Sequence, residues 1–135
     1  MNDIVKFKAL LGLAQADGDF DSSEKEFIRH LANLQGLSLS ELKVLLKSSD
    51  KMSTLVKGLD FDDKIEILTY TVQLMKIDGK VFLSEIKFCE KIAKILGFED
   101  KAIGFLSGVI ESNPNVTPNF GRIKHRMRKY QLAAA

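Results

Sequence analysis

Asp17-Gly18-Asp19-Phe20-Asp21-Ser22-Ser23-Glu24 comes back sixty-one residues later as Asp78-Gly79-Lys80-Val81-Phe82-Leu83-Ser84-Glu85. When residues 11–37 are laid on 72–98, Leu13/Leu74, Asp17/Asp78, Gly18/Gly79, Ser23/Ser84, Glu24/Glu85, Phe27/Phe88, Ala32/Ala93 and Gly36/Gly97 agree in identity. Most other pairs keep their polarity, so the chain reads as a duplication. Each copy predicts helix, tight turn, helix. The glycine one step past the first helix suits the left-handed C′ conformation, and the serine suits the N-cap of the second. That spacing puts Glu24 and Glu85 at N1, where exposed N–H groups and the helix dipole favour a carboxylate by about 0.3–1 kcal/mol each.

The periodicity extends outward from the two turns. Residues 3–16 carry Ile4, Phe7, Leu11 and Ala14 at helical spacing. Ser23 with Glu26 forms a capping box before Phe27, Ile28, Leu31 and Leu34, and Gly36 ends that helix. Ser38 with Glu41 repeats the box and opens a third helix through Leu39, Leu42, Leu45 and Leu46. Residues 51–59 suffice for a turn or two of helix. A new helix then starts at Asp60 or Asp62, and residues 61–77 are apolar on nearly every side, the mark of a buried helix and of a central element. Leu83 and Phe88 suit a hydrophobic staple around Ser84, with Cys89, Ile92, Ile95 and Leu96 leading to Gly97. Residues 99–112 predict a helix with Ile103, Leu106, Val109 and Ile110 inward, stopped by Asn113-Pro114-Asn115. Thr117-Pro118, cap and N1 proline, starts the last helix, which spans 117–131 with Phe120, Ile123 and Met127 on one side. No segment reads as strand. The expected fold is all-α, about seven helices, with two pseudo-symmetric halves, 3–50 and 61–112, around a buried central helix.

Composition sets the class. With 135 residues, 45% hydrophobic and 28% charged, the chain is one ordinary core-forming domain. Roughly two-thirds of the unfolded surface can be buried at this length, so neither metal nor disulfide is needed merely to fold. The single cysteine, Cys89, makes no internal disulfide, aligns with Ile28 and is expected to be a small buried residue. Asp3 and spaced lysines stand where a secretory leader would be basic and then apolar, and no apolar run approaches a membrane span, so a cytoplasmic location with no membrane partner is expected. A formal net charge of +2 is too small to imply nucleic acid as the partner of the whole chain.

Ala16-Asp17-Gly18 followed by Ser23-Glu24 and a helix to Gly36, with the second copy through Asp78-Gly79 and Ser84-Glu85, resembles the tellurite-resistance TerB family over residues 3–112. The resemblance implies a duplicated all-helical domain of bacterial stress-response systems, also found attached to J-domain co-chaperones. It further implies that acidic residues at these turns bind metal. The second turn departs from the first, carrying Lys80, Val81 and Phe82 where the first carries Asp19, Phe20 and Asp21.

The residues carry a metal reading of their own. Asp17, Asp19, Asp21 and Glu24 gather oxygen ligands of the kind Ca²⁺ or Mg²⁺ prefers, and pseudo-two-fold packing would bring Asp78 and Glu85 toward the same cleft. An EF-hand is excluded, because its loop requires glycine at position 22 and glutamate at position 28, where Ser22 and Ile28 stand. The alternative is structural: Asp17 and Asp78 accept turn hydrogen bonds, Glu24 and Glu85 serve helix N-termini, and Asp19 and Asp21 are solvated.

No nucleophile–base arrangement, glycine-rich phosphate loop or nucleotide motif is present, so no enzyme is expected. His30 and His125 have no second histidine or cysteine at ligand spacing. Arg122, Lys124, Arg126, Arg128 and Lys129 form a basic amphipathic segment suited to an acidic protein or to phosphates. Three classes therefore stand. They are an ion-binding stress-response domain, a metal-free helical interaction module of co-chaperone type, and an acidic-partner or nucleic-acid binder through the C-terminal helix. A protein partner ranks above nucleic acid, and self-association of acidic turn with basic helix, as a homodimer, stays open.

Overall fold

The computed structural model describes residues 9, 26, 29, 32, 33, 36, 38 and 40, then 57–77, 83–111, 116 and 118–132. Its organising element is α1 (Phe61–Lys76). Asp60 caps it: the Asp60 carboxylate accepts from the Asp63 amide at 2.8 Å, and the Asp63 side chain closes a capping box on the Asp60 amide. Asp62 and Asp63 in the first turn and Lys76 in the last complement the helix dipole. From Ile67 to Met75 every residue but Tyr70 is buried, as all-round apolarity predicts. The buried polar groups are met locally or across the fold. Thr71 Oγ1 donates to the Ile67 carbonyl at 2.7 Å, and Gln73 Nε2 donates to the Val116 carbonyl at 3.2 Å. The Thr69 hydroxyl is buried with no partner among the described residues.

Three further helices pack against α1: α2 (Leu83–Ile95), α3 (Ala102–Val109) and α4 (Phe120–Met127). A 3-10 turn (Arg128–Tyr130) continues α4. Among the described residues there is no strand, and the chain is helical. Ala9, Glu26, Arg29, Ala32, Asn33 and Ser40 are also helical, at positions inside the first three expected helices. Apart from Gly36 and Ser38, the rest of the expected first half, including Gly18 and the acidic turn, lies outside the described residues, as does Gly79.

Gly97 ends α2 in the left-handed region, φ +91°, with Phe98 N–H donating to the Ala93 carbonyl at 2.8 Å and Gly97 N–H to the Lys94 carbonyl at 3.0 Å. That pair of bonds is a Schellman motif, and Phe98 is buried behind it. Gly36 has φ +76° and its N–H donates to the Asn33 carbonyl at 3.1 Å. Ala32 and Ala93, four residues before each glycine, are both buried.

Several boundaries differ from expectation. Ser84 is already helical, so it is not the N-cap of α2 and Glu85 is not N1, and Leu83 is 64% exposed instead of stapled to Phe88. α3 stops at Val109, and Ile110 turns to extended backbone, φ −93° and ψ 129°. This places Ile110 in the core and leaves Val109 exposed, where an unbroken helix would have buried both. Lys76 holds that end: its ammonium donates to the Ser107 carbonyl at 2.5 Å and the Ile110 carbonyl at 2.6 Å. The cap of α4 is Asn119, whose Oδ1 accepts from the Arg122 amide at 3.2 Å, so Thr117 does not start it and Pro118 lies outside the helix. After the 3-10 turn the chain returns to the end of α2. Phe98 and Gln131 form an antiparallel bridge, Glu99 N–H donates to the Tyr130 carbonyl at 2.7 Å, and Leu132 N–H donates to the Gly97 carbonyl at 2.9 Å.

Candidate functional site

Helical phase decides where Glu85 points. Glu85, Cys89, Ile92 and Ala93 recur at i, i+4, i+7 and i+8 along α2 and are buried together, while Lys87, Lys91 and Lys94 occupy the opposite, exposed face. Glu85 is 2% exposed. Glu85 lies in the first turn of α2, where the free N–H groups and the dipole favour a carboxylate. The turn before it, 78–82, lies outside the described residues.

One turn further on is Cys89. Burial pushes its thiol up to about 12, and the charges of Glu85 and Glu90 push in the same direction. Its Sγ lies 3.8 Å from the Met75 sulfur on α1. A thiol so displaced is protonated at neutral pH and is no nucleophile. It is also no partner for a hard divalent cation, which selects oxygen. Cys89 is the small buried residue that its alignment with Ile28 predicts.

Of the six carboxylates singled out in the sequence, Glu85 alone is placed. Asp17, Asp19, Asp21, Glu24 and Asp78 lie outside the described residues. Among the described residues no group of three His, Cys, Asp or Glu side chains gathers where it would hold a metal ion. Sequence reasoning put Glu85 at N1 of this helix, as a metal-ligand candidate or as a carboxylate serving the helix N-terminus. The signal it passed over is the phase of Cys89, Ile92 and Ala93, which projects back onto Glu85 once Ser84 is inside the helix.

The exposed side of α2 forms an open groove of about 350 Å³ with Lys87, Glu90, Lys91, Lys94, Ile95 and Asp100 along it. Its charges are mixed, and Lys94 already pairs with Asp100 at 3.8 Å. The basic segment of α4 is less uniform than its sequence suggests. Lys124 pairs with Asp62 at 3.4 Å, the Arg128 guanidinium lies 4.9 Å over the Phe61 ring, and the Lys129 ammonium lies 5.2 Å from the Tyr130 ring centre. Arg122, His125 and Arg126 face solvent. No described helix is long and apolar enough to cross a membrane.

No protein-family model, curated protein or solved structure matches the chain.

Proposed function

We propose that the chain is a TerB-like stress-response domain of the tellurite-resistance type, without enzymatic activity, that binds a divalent cation through its acidic turns. Asp17, Asp19, Asp21 and Glu24 supply the oxygen ligands, and Asp78 and Glu85 complete that site or form a related second one. Ca²⁺ and Mg²⁺ are the ions this all-oxygen set favours. The reading rests on the burial of Glu85, which is 2% exposed at the start of the helix that follows the second acidic turn. Burial holds this carboxylate in place beside the second turn, and a ligand held in place binds a cation at a lower ordering cost than a solvated one does. The duplicated frame draws support from the equivalent pairs Gly36/Gly97, both left-handed, and Ala32/Ala93, both buried.

The test is a calorimetric titration with Ca²⁺, Mg²⁺, Mn²⁺ and Zn²⁺ beside thermal melts in the same ions. An ion at one hundred times its dissociation constant adds about 2.7 kcal/mol of stability, a plain rise in melting temperature. Asp17→Asn with Glu24→Gln removes that rise and leaves the ion-free protein folded. If no divalent ion at millimolar concentration moves the melt, the metal-free interaction module takes its place. That second reading is favoured by Leu83, 64% exposed two residues from Glu85, as an apolar contact for a protein partner.

A further inference from the structure

Between Asn119 and Leu132 the sequence contains no aspartate or glutamate. One side of this segment is committed to the core. Ile123 and Met127 are buried, Phe120 meets Tyr70 edge-on with ring centres 5.7 Å apart, and Tyr130 stacks on Phe105 at 5.5 Å. The helix is thereby fixed along its length, and its opposite side stands as a rigid display of cations. Lys124 and Arg128 are engaged by Asp62 and Phe61. The guanidinium groups of Arg122 and Arg126 are exposed and have no ion-pair partner among the described residues.

Arg122 and Arg126 are one turn apart, about 6 Å along the axis, on the same face. Each guanidinium presents a planar fork that matches a carboxylate through two parallel hydrogen bonds, which lysine cannot do. Holding both forks on an anchored helix lowers the ordering cost of binding.

The surroundings choose among anionic partners. Asp60 and Asp62 are exposed at the N-terminus of α1, and the Lys124–Asp62 ion pair sets that acidic end directly beside α4. A nucleic-acid duplex or an anionic bilayer presents continuous negative charge and would lie over these aspartates as well as the arginines, at a repulsive cost. A short acidic segment needs to cover only the turn that bears the two forks. We propose that the Arg122–Arg126 face of α4 docks a short acidic segment of a partner protein, two of its carboxylates pairing with the two guanidinium groups and Lys129 lending a third positive charge at the edge.

The experiment measures fluorescence anisotropy of a labelled peptide of alternating glutamate and glycine against the full chain at low ionic strength, with a duplex oligonucleotide and phosphatidylserine vesicles as competing probes. Arg122→Gln with Arg126→Gln is expected to weaken peptide binding about tenfold, the loss of two charge-assisted pairs. Lys87→Gln with Lys91→Gln removes the same charge from the exposed face of α2 and is expected to leave binding nearly unchanged. Arg122→Lys with Arg126→Lys keeps the charge, removes the forks and is expected to fall between the two, and it carries the test should the glutamine variant lose helicity by circular dichroism. Equal weakening by the α2 and α4 glutamine variants would overturn the proposal, as would tighter binding to the duplex or the vesicles, or no peptide binding at all.

Discussion

Replacing Lys76 with methionine keeps the aliphatic stem and deletes the ammonium that the end of α3 depends on. In the native fold that ammonium donates to the Ser107 and Ile110 carbonyls at 2.5 and 2.6 Å. Ser107 lies in the last turn of α3 and Ile110 is its C-cap, and α3 has no basic residue of its own in its final turn. A hydrogen bond to a charged group contributes about 1.5–3 kcal/mol, and the favourable end of the helix dipole adds about 0.3–1 kcal/mol. Lys76 is only half-buried, so water takes up part of the loss when it is removed. A net destabilisation of about 2 kcal/mol follows, the size of one charged bond and not of two. For a domain between the small and mid-sized classes, each kcal/mol moves the midpoint by about 4 °C, so a fall of about 8 °C is expected. Thermal and urea unfolding followed by far-ultraviolet circular dichroism measure it. Lys87→Met is the control, because it makes the same chemical change on an exposed face of α2. A Lys76→Met midpoint within a degree or so of the Lys87→Met midpoint would refute the claim that a cation from α1 closes α3.

The two buried threonines of α1 are expected to answer one substitution with opposite signs. Thr69→Val removes a hydroxyl without a partner among the described residues and raises stability by about 1 kcal/mol, whereas Thr71→Val forfeits the 2.7 Å bond to the Ile67 carbonyl and lowers it by a similar amount; urea midpoints that move in the same direction would contradict this. The Cys89 thiol sits at about 12 in the folded chain against 9.0 for an unperturbed thiol. The unfolded chain therefore loses this proton first, and stability falls as pH climbs from about 9 towards 12, by up to about 1.4 kcal/mol per unit, while below 9 the contribution is intact. Cys89→Ala is expected to flatten that limb relative to the parent in urea unfolding at paired pH values, and parallel limbs would rule it out.

The legible parts of this fold are those decided within a few residues of chain. Apolarity on every side of 61–77 predicts a buried helix whatever it packs against, and Asp60 with Asp63 is a local signal for its start. Gly97 needs only its own freedom at positive φ to stop α2. The misread parts were settled at a distance or by competing local signals. Val109 lies outside the core because α3 ends early, with its last carbonyls taken by Lys76 from a helix more than thirty residues away, and no periodicity encodes that. Thr117-Pro118 is the start that the sequence pattern marks for α4, but the side chain that reaches the Arg122 amide belongs to Asn119. At the candidate site, Glu85 was recognised as a residue of interest through the duplication. Its burial followed from the phase of α2, which an assumed Ser84 cap obscured.

The return of the chain from Tyr130 to the end of α2 fixes how this half of the molecule opens. The amides of Glu99 and Leu132 are bonded across a closed loop of about thirty residues that contains α3 and α4, as the two neighbouring bonds of one short bridge. In native-state hydrogen exchange they therefore report a shared event, the lifting of the tail from the Gly97 turn. Such an event breaks few bonds and belongs to the lower rungs of the opening ladder, beneath the amides of α1. Phe98, whose ring lies 6.0 Å from that of Phe61, is the residue that this bridge to Gln131 covers.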